Sequence, residues 1–285
     1  MSPRTVGLFD KYSAELTALR PEFHETFLCP LCLRTFGRPA LALRGQDGLT
    51  LEHIIPGTLG GRQTTLTCGR CNNSHGSVLE GHLTRMIDAR NWEDGDGSVL
   101  KGTIEMAGIE LPMKIAWGAG IDPNVISIPG ANAEALADFK DLMNRLPPNP
   151  EFQIKWNYNY IPCRVQRALV RIGYLSLFET LGYEYVLSGA AKYIRDLIAG
   201  EHTDQLWQFT PQIRVMEDKG RKGSIIHWRV GSLAHLLIVC IKALKRTCYY
   251  AVLMPSNSVA EESVLNSLAQ ALSLLQRNGS SALTI

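Results

Sequence analysis

Residues 29–76 hold the side chains of this chain best suited to chemistry. Cys29 and Cys32 form one C-x2-C pair, and Cys68 and Cys71 form a second. Between the pairs lies Leu49-Thr50-Leu51-Glu52-His53-Ile54-Ile55-Pro56, and Asn72 and His75 follow the second pair closely. Hydrolysis of a phosphodiester needs a base to deprotonate water and a cation to neutralise charge on the phosphate and the leaving oxygen. Histidine suits the first task, because its ordinary pKa of ~6.5 leaves much of it neutral near pH 7. Carboxylate and amide oxygens suit a hard divalent ion such as Mg²⁺. Glu52, His53 and Asn72 supply those groups.

Local structure must bring them together. The 49–56 run has strand composition and stops at proline. Adjacent strand residues point to opposite faces, so Glu52 and His53 cannot project together from a regular strand. The break at Pro56 and Gly57 has to reconcile them. A helix is expected from about Asn72 to Ala89, with Asn72 and His75, three apart, on one face.

The four cysteines read as a zinc site. Two C-x2-C pairs with this separation favour metal over disulfides. An all-thiolate tetrahedral Zn²⁺ site is closed to substrate and therefore structural. It ties the Cys29 loop to the start of the 72–89 helix and staples a region with little core of its own.

The pattern C-x2-C, E-H-I-I-P, G-G and C-x2-C-N-N-x-H-G resembles the HNH endonuclease family over roughly residues 25–90. The resemblance implies a zinc-stapled ββα-metal fold, a β-hairpin and helix gripping one catalytic divalent ion. It makes His53 the general base. Asn72 takes the place of the family's last motif residue, often histidine but asparagine in several branches, including the HNH domains of CRISPR effectors. It is expected to bind the catalytic ion. Glu52 stands where the family usually has aspartate and is expected to be the other ligand. The family's middle asparagine maps near Gln63. His75 lies where many members carry lysine and is a candidate phosphate contact. Arg62 and Arg70 flank the loop as candidate nucleic-acid contacts. The expected partner is nucleic acid, double-stranded DNA first. The alternative is a zinc-dependent nucleic-acid-binding module without catalysis. Free-standing members occur in mobile elements and in defence against foreign DNA, so phage defence is a family-level expectation.

The whole chain sets the frame. It has 285 residues, 45% hydrophobic and 20% charged, enough for a substantial core. A net charge of +2 gives no global warrant for nucleic-acid binding, which must rest on local features. The N-terminus lacks a secretory pattern, and no apolar run reaches the ~20 residues needed to cross a bilayer. A cytoplasmic location without membrane association is expected.

Two domains are expected: residues 1–94, and a mixed α+β domain over 95–285 able to select substrate, sense a signal or carry protein partners and homo-oligomer contacts. The boundary is Glu93-Asp94-Gly95-Asp96-Gly97. A helix is predicted over 3–20. A hairpin is predicted over 98–117 and a helix over 131–144. A strand over 153–161 carries Trp156, Tyr158 and Tyr160 on one face. Helices are predicted over 163–182, 188–200 and 264–276, with strands between 212 and 255. Arg164, Arg167 and Arg171 share one helical face, which reads as solvated. Lys242, Lys245 and Arg246, and Lys219, Arg221 and Lys222, form further basic clusters of the same kind.

Overall fold

The computed structural model describes residues 2–93, 99–106, 109–117, 123–127, 133–145, 153–156, 160–211, 223–244 and 247–278. In chain order the elements are α1 (Pro3–Leu19), β1 (Thr26–Leu28), β2 (Thr35–Gly37), β3 (Leu49–His53), β4 (Gln63–Cys68), α2 (Gly69–His75), a π-helical segment Gly76–Glu80, and α3 (Gly81–Glu93). Then come β5 (Val99–Met106), β6 (Ile109–Trp117), β7 (Pro123–Ser127), α4 (Ala133–Arg145), β8 (Gln153–Trp156), α5 (Pro162–Leu181), α6 (Tyr183–Val186), α7 (Gly189–Ala199) and α8 (Leu206–Phe209). The chain closes with β9 (Ser224–Val230), β10 (Ala234–Lys242), β11 (Thr247–Pro255) and α9 (Val264–Asn278). The fold is mixed helix and strand with small antiparallel sheets. Among the described residues no helix is long and apolar enough to cross a membrane.

The chain forms two compact units. One comprises residues 1–84, 161–242 and 247–285, and the other residues 85–160 and 243–246. This differs from the division at 94/95 read from the sequence. The cause is α5. Positions 168–178 of this helix are buried on every side, so it needs partners all round. It packs on β10 and β11 from the C-terminal region and on β4 from the cysteine-bearing region. The N-terminal third therefore shares its core with the C-terminal third.

Aromatic side chains fill that shared core. Tyr12 on α1 stacks on Phe178 of α5 with ring centroids 4.4 Å apart. Phe27 of β1 and Tyr183 of α6 close the cluster edge-on. Such pairs add about 0.5–1.5 kcal/mol each beyond their burial. α1 starts as its sequence dictates: the Ser2 hydroxyl accepts the Thr5 N–H at 3.2 Å and Pro3 opens the first turn.

In the second unit, β5 to β8 form a four-stranded antiparallel sheet ordered β7-β6-β5-β8. β5 and β6 are the hairpin expected from sequence, flanking positions 107–108. The strand expected over 153–161 ends at Trp156. The Trp156 side chain and Tyr158 lie outside the described residues, and Tyr160 is exposed. The helix expected over 72–89 is divided by the π-helical segment into α2 and α3. The basic residues 219, 221, 222, 245 and 246 lie outside the described residues, and Lys242 is exposed.

Candidate functional site

β1 delivers Cys29 to a tight turn in which Cys29 N–H donates to the Arg34 carbonyl and Leu33 N–H to the Cys29 carbonyl, both at 2.9 Å. β4 delivers Cys68, which caps α2, and Cys71 follows in its first turn. One sulfur from each of the four cysteines lies within 4.8 Å of all the others. The Sγ atoms of Cys32 and Cys68 are 3.7 Å apart. Tetrahedral zinc with Zn–S bonds of ~2.3 Å sets sulfurs about 3.8 Å apart, so the cluster can hold a metal ion such as zinc. The Cys68 N–H also donates to Cys29 Sγ at 3.4 Å, the kind of bond that stabilises a thiolate. Without a cation the four thiols compete. Burial pushes the Cys29 thiol well above its ordinary value, while its hydrogen bond with Cys29 draws Cys32 down to about 7.

Residues remote in sequence fix the position of this cluster. The Tyr183 hydroxyl accepts the Leu28 N–H at 2.9 Å and donates to the Leu28 carbonyl at 2.6 Å. The Tyr174 hydroxyl donates to the Pro30 carbonyl at 2.6 Å. Both tyrosines hold the backbone flanking Cys29, and nothing local in the sequence announces them.

The candidate catalytic residues sit on β3, β4 and α2, an antiparallel hairpin followed by a helix. Glu52 pairs with Thr65 and His53 with Gln63, with a bulge between them. A bulge re-aims a side chain, and this one falls between Glu52 and His53. Gln63, the position near which the family's middle asparagine maps, is the direct cross-strand neighbour of His53. The His53 ring is half-buried and packs against Gly57, where any Cβ would lie 3.2 Å from Nε2. The Asn72 side-chain nitrogen donates to Thr50 Oγ1 at 2.9 Å, and the Leu51 carbonyl lies at 3.5 Å. These acceptors fix the amide, whose oxygen has no hydrogen-bond partner among the described residues. Arg62 and Arg70 are exposed.

Glu52 has a different setting. It is 1% exposed, on the face shared with Thr65 and Thr67. Oε2 accepts from the Thr67 hydroxyl at 2.8 Å, and Oε1 lies 3.0 Å from Nη2 of Arg171. Both carboxylate oxygens are engaged and the side chain is buried, so direct coordination of a second metal, as the sequence suggested, competes with Thr67 and Arg171.

Arg171 itself corrects the reading of its helix face as solvated. It is 0% exposed. Its Nη1 donates to Glu80 Oε1 at 2.6 Å and its Nε to His75 Nδ1 at 3.3 Å. The approach to Glu52 is a charge contact that lacks hydrogen-bond alignment. One guanidinium thus serves two carboxylates and an imidazole. Burial pushes His75 down to about 4, and the charges of Arg171 and Arg167 act in the same direction. Burial raises the Glu80 carboxyl against the pull of Arg171. His75 is accordingly a neutral acceptor near pH 7, turned to Arg171. Arg164 and Arg167 are half-buried. Arg164 meets the His82 ring at 3.0 Å, and Arg167 holds the Ile198 carbonyl.

No family model matches the chain, and no curated protein or solved structure matches it either.

Proposed function

We propose that this chain is a metal-dependent endonuclease of the HNH kind that hydrolyses phosphodiester bonds in nucleic acid, double-stranded DNA first. The observation that carries this reading is the hairpin-and-helix unit itself. It presents a half-buried His53 opposite Gln63, with an Asn72 amide oriented by Thr50 and Leu51, beside a four-cysteine cluster. Zn²⁺ in that cluster is the staple. His53 takes the proton from the attacking water. Gln63 stands across the hairpin from His53, near the position of the family's bracing asparagine. Asn72 is the residue best placed to hold a second divalent ion, Mg²⁺ or a relative, with Glu52 reaching it through water or after releasing Arg171. When bound, that ion supplies positive charge to the departing 3′ oxygen. Arg62 and Arg70 are the candidate phosphate contacts.

The commitment of Glu52 to Arg171 favours a second reading, a zinc-stapled module that binds nucleic acid without cutting it. Incubation of the zinc-loaded protein with supercoiled plasmid and Mg²⁺, Mn²⁺ or Ni²⁺ separates the two. The nuclease reading expects cleavage that stops when the added divalent ion is withheld. Retained DNA binding without turnover in any of the three ions overturns it in favour of the second.

A further inference from the structure

Glu52 and Asn72 reach the same face of the β3–β4 hairpin. Thr50 pairs with Thr67 and Glu52 with Thr65, so these four side chains share that face. The Asn72 nitrogen donates to Thr50 Oγ1 at 2.9 Å, and the Thr67 hydroxyl donates to Glu52 Oε2 at 2.8 Å. Arg171 approaches this carboxylate from α5, with Nη2 3.0 Å from Oε1. Both side chains are buried.

The contacts of Arg171 are unequal. Nη1 donates to Glu80 Oε1 at 2.6 Å and Nε to His75 Nδ1 at 3.3 Å. Nη2 lies near Glu52 without hydrogen-bond alignment and has no hydrogen-bond partner. His75 and Glu80 are five residues apart and in a regular α-helix would point about 140° from each other. The π-helical segment Gly76–Glu80 widens that turn and brings both to one guanidinium. The local fold thus secures Arg171 to Glu80 and His75 and leaves its hold on Glu52 the weakest. Glu52 can release Oε1 without breaking an aligned hydrogen bond, while Oε2 stays with Thr67 and Arg171 keeps the Glu80 carboxylate as its counter-charge. A buried carboxylate that leaves one cation needs another. Oε1 of Glu52 and the amide oxygen of Asn72 are both donors of the kind a hard divalent ion takes.

We propose that Arg171 is the resident cation of Glu52 and yields Oε1 to the divalent ion at Asn72, so that the Arg171 contact sets how tightly this ion binds. Arg171 is then a positioning residue that tunes metal affinity from outside the ligand set. The proposal rests on the nuclease reading for its assignment of the ion to Asn72.

Mn²⁺ binding to the zinc-loaded full chain, read from the electron paramagnetic resonance signal of free Mn²⁺, tests this without any cleavage. Wild type is compared with the double variant Arg171→Met, Glu80→Gln. That pair of changes removes the guanidinium together with the carboxylate it would strand, and leaves Glu52 free. The removed charges cancel, so a general change of field does not explain an effect. The double variant is expected to bind Mn²⁺ about tenfold more tightly than wild type, and adding Glu52→Gln cancels the gain. Equal affinity in wild type and the double variant, or a gain that survives Glu52→Gln, overturns the proposal. A second readout needs no change at Arg171. Saturation of wild type with Mg²⁺ shifts the ¹⁵N resonances of the buried guanidinium, which exchange slowly with water, and Glu52→Gln removes the shift. An unshifted guanidinium at saturating Mg²⁺ also overturns the proposal. His53→Ala leaves both readouts unchanged while stopping cleavage, so the two readings fail separately. A chain that cuts DNA while its metal affinity ignores Arg171 sinks only this proposal. A chain that shows the exchange without cutting DNA sinks only the nuclease reading.

Discussion

The Arg171 guanidinium, buried at the centre of α5, lies 3.0 Å from the Glu52 carboxylate on β3. This contact joins the C-terminal region to the strand that carries the candidate base. Two carboxylates, the buried Glu52 and the half-buried Glu80, pair with that one cation. Removing it leaves charge without compensation in the interior.

Arg171→Met is therefore expected to destabilise the protein by about 3–5 kcal/mol. Adding Glu52→Gln and Glu80→Gln to the same chain restores part of that loss, because the stranded charges go with the guanidinium. Urea unfolding of the single and triple variants measures both. A single variant as stable as wild type contradicts the ion-pair account.

Tyr183→Phe is expected to cost about 1–3 kcal/mol, since it leaves both the N–H and the carbonyl of buried Leu28 without their partner. Leu28 precedes Cys29, so the variant also loosens the first cysteine pair. Zinc affinity, read by competition with a chromogenic chelator, falls along with the unfolding midpoint. An unfolding free energy within a few tenths of a kcal/mol of wild type shows that the clamp is unimportant.

The cysteine cluster predicts one zinc per chain by elemental analysis. Cys71→Ser loses the metal and the fold of the surrounding hairpin, because binding free energy at such a site is folding free energy. A chain purified without zinc yet fully folded, with all four thiols free to react, argues that the cluster is only a group of buried cysteines.

His235 sets a pH dependence. Burial, with His227 and Arg229 adding to it, lowers its pKa to about 4, against an ordinary 6.5. The unfolded chain therefore binds more protons at this site than the folded one between those values. Stability contributed by the neutral ring is complete above pH 6.5 and is lost as pH falls from 6.5 towards 4. His235→Gln flattens the stability–pH slope in that window, measured with zinc content followed in parallel. An unchanged slope rules out His235 as its source.

The four-cysteine cluster and most helix ends were legible because they are written locally. C-x2-C spacing, Pro21 after α1 and the Pro147-Pro148 stop near the end of α4 act within a few residues. Arg171 was not, because three arginines spaced along one helix look like a solvated face. The signal was nevertheless present. α5 is apolar around Arg171 on all sides from Ala168 to Phe178, and a charge in such a helix requires a carboxylate partner. Glu52 stands in β3 next to Leu51, with Ile54 and Ile55 just beyond the strand end, and is the matching oddity. Tyr174 and Tyr183 gave no such warning, since buried tyrosines choose their acceptors through tertiary packing. The two compact units differ from the division at 94/95 for the same reason: Glu93-Asp94-Gly95-Asp96-Gly97 has the composition of a linker, while the all-round burial of α5 joins the first and last thirds.

The account stands most directly on the imidazole of His53. Cleavage of supercoiled plasmid by the zinc-loaded chain with Mg²⁺ is to be compared with cleavage by His53→Ala, with circular dichroism and zinc content confirming that the variant is folded. Loss of the general base lowers the rate by about 10²–10⁴-fold. A folded His53→Ala chain that cuts at the wild-type rate contradicts the account.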